Sequence, residues 1–101
     1  MTINVVATFT VKEGSGEAFE AAVAAARPAM LAQDGCERYD LQRRRKSETE
    51  YVLLEEYASG DALREHGASD AFTEFGAAVA DLVAGPPEII FLEPVGEQRT
   101  A

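Results

Sequence analysis

Tryptophan is missing from the sequence, cysteine and histidine occur once each, and 9 basic residues face 18 acidic ones in 101 residues. Each scarcity excludes something. A lone cysteine, Cys36, builds no internal disulfide framework and no multi-cysteine metal site. A formal charge of −9 disfavours non-specific binding to nucleic acid or to an anionic membrane, since both require a basic surface. No apolar run approaches the roughly 18 residues of a spanning helix. Met1 leads directly into a strand-like segment, so no secretory signal is expected. GxGxxG, P-loop, GxSxG and metal-ligand spacings are all missing. The expectation is therefore no cofactor and no metal, and a colourless protein. What remains, 47% hydrophobic and 27% charged residues, is the composition of one ordinary globular domain, expected to be cytoplasmic.

Periodicity gives the elements. From Thr2 to Lys12 the chain alternates, with Ile3, Val5, Ala7, Phe9 and Val11 on one face, which predicts a strand ended by Gly14-Ser15-Gly16. Phe19, Ala22, Val23, Ala26 and Met30 then form one apolar stripe of a helix, in which Pro28 predicts a kink or break. Cys36–Arg44 and Glu50–Tyr57 read as a hairpin joined by the polar stretch from Arg45 to Thr49. Ser59 opens a short helix ending near Gly67. Ser69 caps another, whose stripe Phe72, Phe75, Val79, Leu82 and Val83 runs to the Gly85-Pro86-Pro87 stop. Glu88–Val95 is the last strand. Residues 1–95 form the single domain and 96–101 a polar tail.

The order β-α-β-β-α-α-β predicts an α+β, ferredoxin-like split βαβ unit with a four-stranded antiparallel sheet and helices on one face. Val52-Leu53-Leu54 and Ile89-Ile90-Phe91-Leu92 are unbroken apolar runs. Such runs belong to strands covered on both faces, and helices in so short a chain cover only one. A second copy is the simplest cover, so a homodimer is expected.

Three stretches carry a resemblance. Gly35-Cys36-Glu37-Arg38-Tyr39-Asp40-Leu41, Tyr51-Val52-Leu53-Leu54-Glu55-Glu56-Tyr57 and the segment from Ala62 to Phe72 resemble the antibiotic biosynthesis monooxygenase domain, over Ile3 to about Val95. The signature is a Glu and a Tyr two residues apart on the third strand, a His nine residues later and an aromatic six beyond that, met by Glu55, Tyr57, His66 and Phe72. The resemblance implies a dimeric α/β barrel, with a mainly apolar pocket between sheet and helices in each subunit. Members that oxygenate aromatic substrates use no flavin, haem or metal. The haem-degrading branch has an Asn, a Trp and an axial His where this chain has Ala7, His66 and Gly76, which disfavours that chemistry here.

His66 alone has an ordinary pKa near neutrality, which makes it the candidate base or hydrogen-bond partner for a phenol; a structural role at a helix end stays open. Glu55 is the candidate second catalytic residue, orienting the imidazole, and the alternative is a strand-end carboxylate paired to Arg43, Arg44 or Arg45. Tyr39, Tyr51, Phe72 and Phe75 are the candidate substrate-binding aromatics, or simply core. Cys36 reads as a small buried hydrophobe. The run from Arg43 to Lys46 reads as a solvated hairpin tip, or as a contact for an anionic substrate.

Three functions remain open from sequence. One is a cofactor-independent monooxygenase on a phenolic or quinol-type compound. Another is an isomerase-class enzyme on a small hydroxy-dione, phosphorylated or not. The third is a non-catalytic binder of a small apolar metabolite.

Overall fold

A computed structural model describes residues 1–99; Thr100 and Ala101, the end of the expected polar tail, lie outside the described residues. Four strands and three helices follow in the order β1 (Ile3–Thr10), α1 (Gly16–Leu31), β2 (Cys36–Arg43), β3 (Glu50–Tyr57), α2 (Gly60–Gly67), α3 (Asp70–Val79) and β4 (Glu88–Leu92). The strands form one antiparallel sheet in the order β2-β3-β1-β4, so β1 and β3 are central. This is the ferredoxin-like α+β arrangement, and all three helices lie on one face.

Side-chain alternation sets which residues meet the helices. Val5, Ala7 and Phe9 of β1 and Tyr51, Leu53, Glu55 and Tyr57 of β3 point inward and are buried. Tyr39 of β2 stands opposite Glu55 and joins them. Phe19, Val23 and Met30 of α1 close the core from above, and Phe9, Phe19 and Tyr51 stack in sequence at ring separations of 5.2 and 5.1 Å.

Two boundaries differ from the sequence expectation. The helix containing Pro28 does not break there but continues to Leu31. Pro28 and Ala24 are both on the exposed side, so the carbonyl that loses its N–H partner meets water at little cost. The last helix stops at Val79, short of the apolar Leu82 and Val83. Those residues are claimed by β1 instead: Val83 bridges Val11, Lys12 N–H donates to the Leu82 carbonyl at 2.8 Å, and Ala84 N–H donates to that of Thr10 at 2.8 Å.

The apolar runs are not covered on both faces by this chain. In β3, Leu53 is buried towards the helices while Val52 and Leu54 are half-buried on the far face. In β4 every residue is exposed, the apolar ones from 42% at Ile90 to 62% at Phe91. The strand also ends at Leu92, leaving Val95 beyond it.

Candidate active site

Helix α2 begins cleanly because the Ser59 hydroxyl accepts from Ala62 N–H at 3.1 Å, and it carries His66 down onto the sheet. The chain reaches α2's underside through a tight turn at Gly35, whose φ of +80° and close approach to Ala62 admit no side chain. His66 is 5% exposed and Glu55 8% exposed, and these are the buried polar residues of the core.

The imidazole is fixed by a closed network. Its Nδ1 lies 2.8 Å from Gln33 Oε1. Gln33 Nε2 donates to Ser69 Oγ at 2.9 Å, and that hydroxyl donates to the His66 carbonyl at 2.7 Å while accepting from Phe72 N–H at 3.1 Å. With the Ser69 proton committed, the Gln33 amide nitrogen must face Ser69 and its oxygen must face the ring. Nδ1 therefore carries the proton and Nε2 keeps its lone pair. Tyr57 and Phe72 flank the ring at centroid separations of 4.9 and 5.2 Å.

Nε2 points towards Glu55 Oε1 at 3.8 Å, beyond hydrogen-bond reach. That oxygen instead accepts the Tyr57 hydroxyl at 2.5 Å. Burial pushes the Glu55 carboxyl above its ordinary range, partly offset by the Tyr57 hydrogen bond. Burial also pushes the His66 pKa down, so the neutral imidazole is favoured. Contact at 3.8 Å between two groups each driven towards neutrality is not an ion pair. The Tyr39 and Tyr57 phenols are both driven up, chiefly by burial and then by Glu55, and stay protonated.

A cavity of about 190 Å³ opens beside these groups. Tyr39, Leu53, Glu55 and His66 line its buried end, α3 supplies Phe72, Phe75, Gly76 and Val79, and Ala7, Phe9 and Ile89 contribute from the sheet. The wall is apolar apart from a neutral base, a carboxyl and a phenol donor. A hydroxylated ring that entered would meet a proton acceptor and a donor together. Among the described residues no group of three or more His, Cys, Asp or Glu side chains could hold a metal ion.

The profile of the family described as antibiotic biosynthesis monooxygenase matches residues 2–78. The chain belongs to that family. Among solved structures of the same fold, a Caulobacter crescentus CB15 protein assigned to this family is 38% identical, with a TM-score of 0.87 over 94% of this chain and 91% of that one. Rv0793 from Mycobacterium tuberculosis is 31% identical, with a TM-score of 0.88 over 98% and 100% of the two chains. SnoaB from Streptomyces nogalater, a cofactor-independent oxygenase, is 25% identical, with a TM-score of 0.84 over 95% of each chain. No curated protein matches the sequence.

Of the residues singled out from sequence, the monooxygenase-family pocket gathers His66, Glu55, Tyr39, Phe72 and Phe75. Tyr51 is not among them. It is buried, but its hydroxyl donates to Glu20 Oε2 at 2.6 Å beside a separate hollow between α1 and β2. Among the described residues Glu55 has no arginine partner: Arg43 pairs with Glu20 at 3.5 Å and Arg44 with Glu50 at 3.3 Å. The basic run thus stays on the hairpin, away from the pocket. Cys36 is buried, with a thiol pKa raised by that burial. Sequence reasoning missed Gln33, whose role needs a contact across 33 residues, and it used Tyr57 only as a spacing mark. The tight Asp34-Gly35 turn was the one local signal that Gln33 is held in place.

Proposed function

We propose that this chain is a cofactor-independent monooxygenase of a small phenolic or quinol-type substrate and that it works as a homodimer. The observation that carries the reading is an apolar cavity whose buried end holds a neutral imidazole, its unprotonated Nε2 3.8 Å from Glu55 Oε1, together with the protonated Tyr39 phenol. The likeness to SnoaB supports it. His66 Nε2 takes the substrate's phenolic proton, and the Tyr39 hydroxyl donates to the oxyanion that forms. The phenolate then gives electrons to dioxygen from a ring carbon, forming a C–O bond. Cleavage of the O–O bond leaves one oxygen on the ring as a carbonyl. The other departs as water with the two protons shed from the substrate's O–H and C–H. Electrons come from the substrate and the oxidant is dioxygen, so the protein's part is to bind, deprotonate and exclude water.

The phosphorylated hydroxy-dione of the isomerase reading finds no Lys or Arg in the cavity wall, which favours the oxygenase reading. The homodimer is supported by the far face of the sheet. Val6, Val52, Leu54, Ile90 and Leu92 share that face, and none of the helices covers it.

The reading is tested by oxygen uptake with methylhydroquinone in chelator-treated buffer. Expected is one molecule of dioxygen consumed per molecule of hydroxylated quinone formed, with no hydrogen peroxide beyond the protein-free rate. Peroxide in place of oxygenated product, or no uptake above that rate, would refute it.

A further inference from the structure

The oxygenase reading leaves the substrate's size and charge open, and the cavity limits both. We infer that the site takes an uncharged, single-ring hydroxyaromatic, and that Gly76 is the residue that sets this specificity. The inference rests on the proposed function for the word substrate, but its geometry is independent of turnover.

Size comes first. The cavity measures about 190 Å³. An apolar cavity of about 150 Å³ accommodates benzene, whereas drug-sized ligands occupy about 300–1,000 Å³. One ring with one or two small substituents fits; three fused rings do not. The groups that recognise a hydroxyl, His66 and Glu55, are 5% and 8% exposed and lie at the closed end, while Phe72 and Ile89 at the mouth are 42% and 43% exposed. A ring must therefore enter fully for its hydroxyl to reach Nε2. Charge is next. The wall holds no Lys or Arg and does hold Glu55, so a carboxylate or phosphate on the ring would be buried without a counter-charge.

Gly76 explains how the space is kept. Phe72, Phe75, Gly76 and Val79 fall on one face of α3, the face that lines the cavity. Glycine in a helix interior costs stability relative to alanine, and it is ordinarily retained where a neighbour leaves no room for a Cβ. Here no neighbour does so: a Cβ on Gly76 would meet nothing within 4 Å. Gly76 is exposed and borders the cavity, so a larger side chain there has room to reach over the cavity's edge.

Calorimetric titration under anaerobic conditions tests this, using methylhydroquinone, 2,5-dihydroxybenzoate and 9,10-dihydroxyanthracene as probes. Methylhydroquinone should bind, and the carboxylated and three-ring probes should bind at least tenfold more weakly. Gly76→Leu should weaken methylhydroquinone binding at least tenfold with an unchanged or higher Tm, and Gly76→Ala should raise Tm with a smaller loss. No binding of methylhydroquinone, a difference under tenfold for either competitor, or undiminished binding by Gly76→Leu would overturn the inference. Binding of methylhydroquinone without oxygen uptake in air would remove the oxygenase reading alone. Efficient turnover of the three-ring quinol would remove the size limit alone.

Discussion

Glu55 is a carboxyl placed where water cannot reach it, and its stability depends on one short hydrogen bond from Tyr57. Removing that hydroxyl in Tyr57→Phe leaves the carboxyl without its donor. The expected cost is about 1–3 kcal/mol, the usual price of an unsatisfied buried polar group. A lowered Tm and a further rise of the Glu55 carboxyl pKa on NMR titration would bear this out. His66 sets a second dependence. Burial holds its pKa below the ordinary 6.5, so the unfolded chain binds a proton that the folded chain refuses. Stability therefore falls as pH drops below about 6.5. Glu55 acts in the opposite sense: its raised pKa lends stability that is full below the ordinary 4.5 and lost as pH rises through the folded value. Because His66 is the one histidine in the chain, His66→Asn should lose less stability than the wild type between pH 7 and pH 5. Equal losses in both proteins would contradict the burial argument. At this scale the family resemblance pointed to Glu55, His66 and Phe72, which the fold brings to one cavity. That Tyr51 stays out of it was not legible, because period two tells which face a strand residue takes but not which end of the site it reaches. Tyr51 and Glu55 share a face yet stand about 13 Å apart along β3 at roughly 3.3 Å per residue.

The strands and helices repeat that lesson over longer distances. Alternation located β1, the apolar stretch after a polar hairpin connection located β3, and serine caps located α2 and α3, because those signals are local. The end of α3 was misread because Leu82 and Val83 continue its apolar stripe. Their pairing with Val11 and Lys12, 70 and 72 residues away, stops the helix and leaves no mark in the neighbouring sequence. Gly35 is where such a distant contact is legible. Its positive φ follows from the Asp-Gly turn, and its neighbour Ala62 lies one turn before His66 on α2. A Cβ there would stand 2.6 Å from that of Ala62. Gly35→Ala should cost at least about 1–2 kcal/mol from the left-handed backbone alone. It should also push α2 off the sheet. A fall in Tm accompanied by a changed His66 side-chain ¹⁵N shift is the expected result; a Tm within experimental error of the wild type would show that the turn relaxes freely.

The whole molecule presents two unlike surfaces: one side of the sheet is covered by the helices, and on the other Val6, Val52 and Leu54 are half-buried while Ile90 and Leu92 are exposed. Joined by the exposed side chains of β4, this face is the expected seat of the homodimer. Leu54→Asp places a charge at its centre without touching the helix-side core, so sedimentation should show a dimer for the wild type and a folded monomer for the variant. A wild-type chain that is monomeric at micromolar concentration with its fold intact would dispose of the homodimer. The pocket lies on the opposite side of the sheet from that face, so its chemistry is read within one subunit. Proton removal by His66 is the central claim. A phenol of pKa near 10 is almost wholly protonated at neutral pH, and a positioned base is worth roughly 10²–10⁴ in rate. The direct measurement is oxygen uptake with methylhydroquinone by wild type and His66→Ala, each normalised to folded protein by its thermal transition. At least about a tenfold fall in specific activity with the transition preserved is the predicted result; unchanged specific activity, with only the stability reduced, would contradict it.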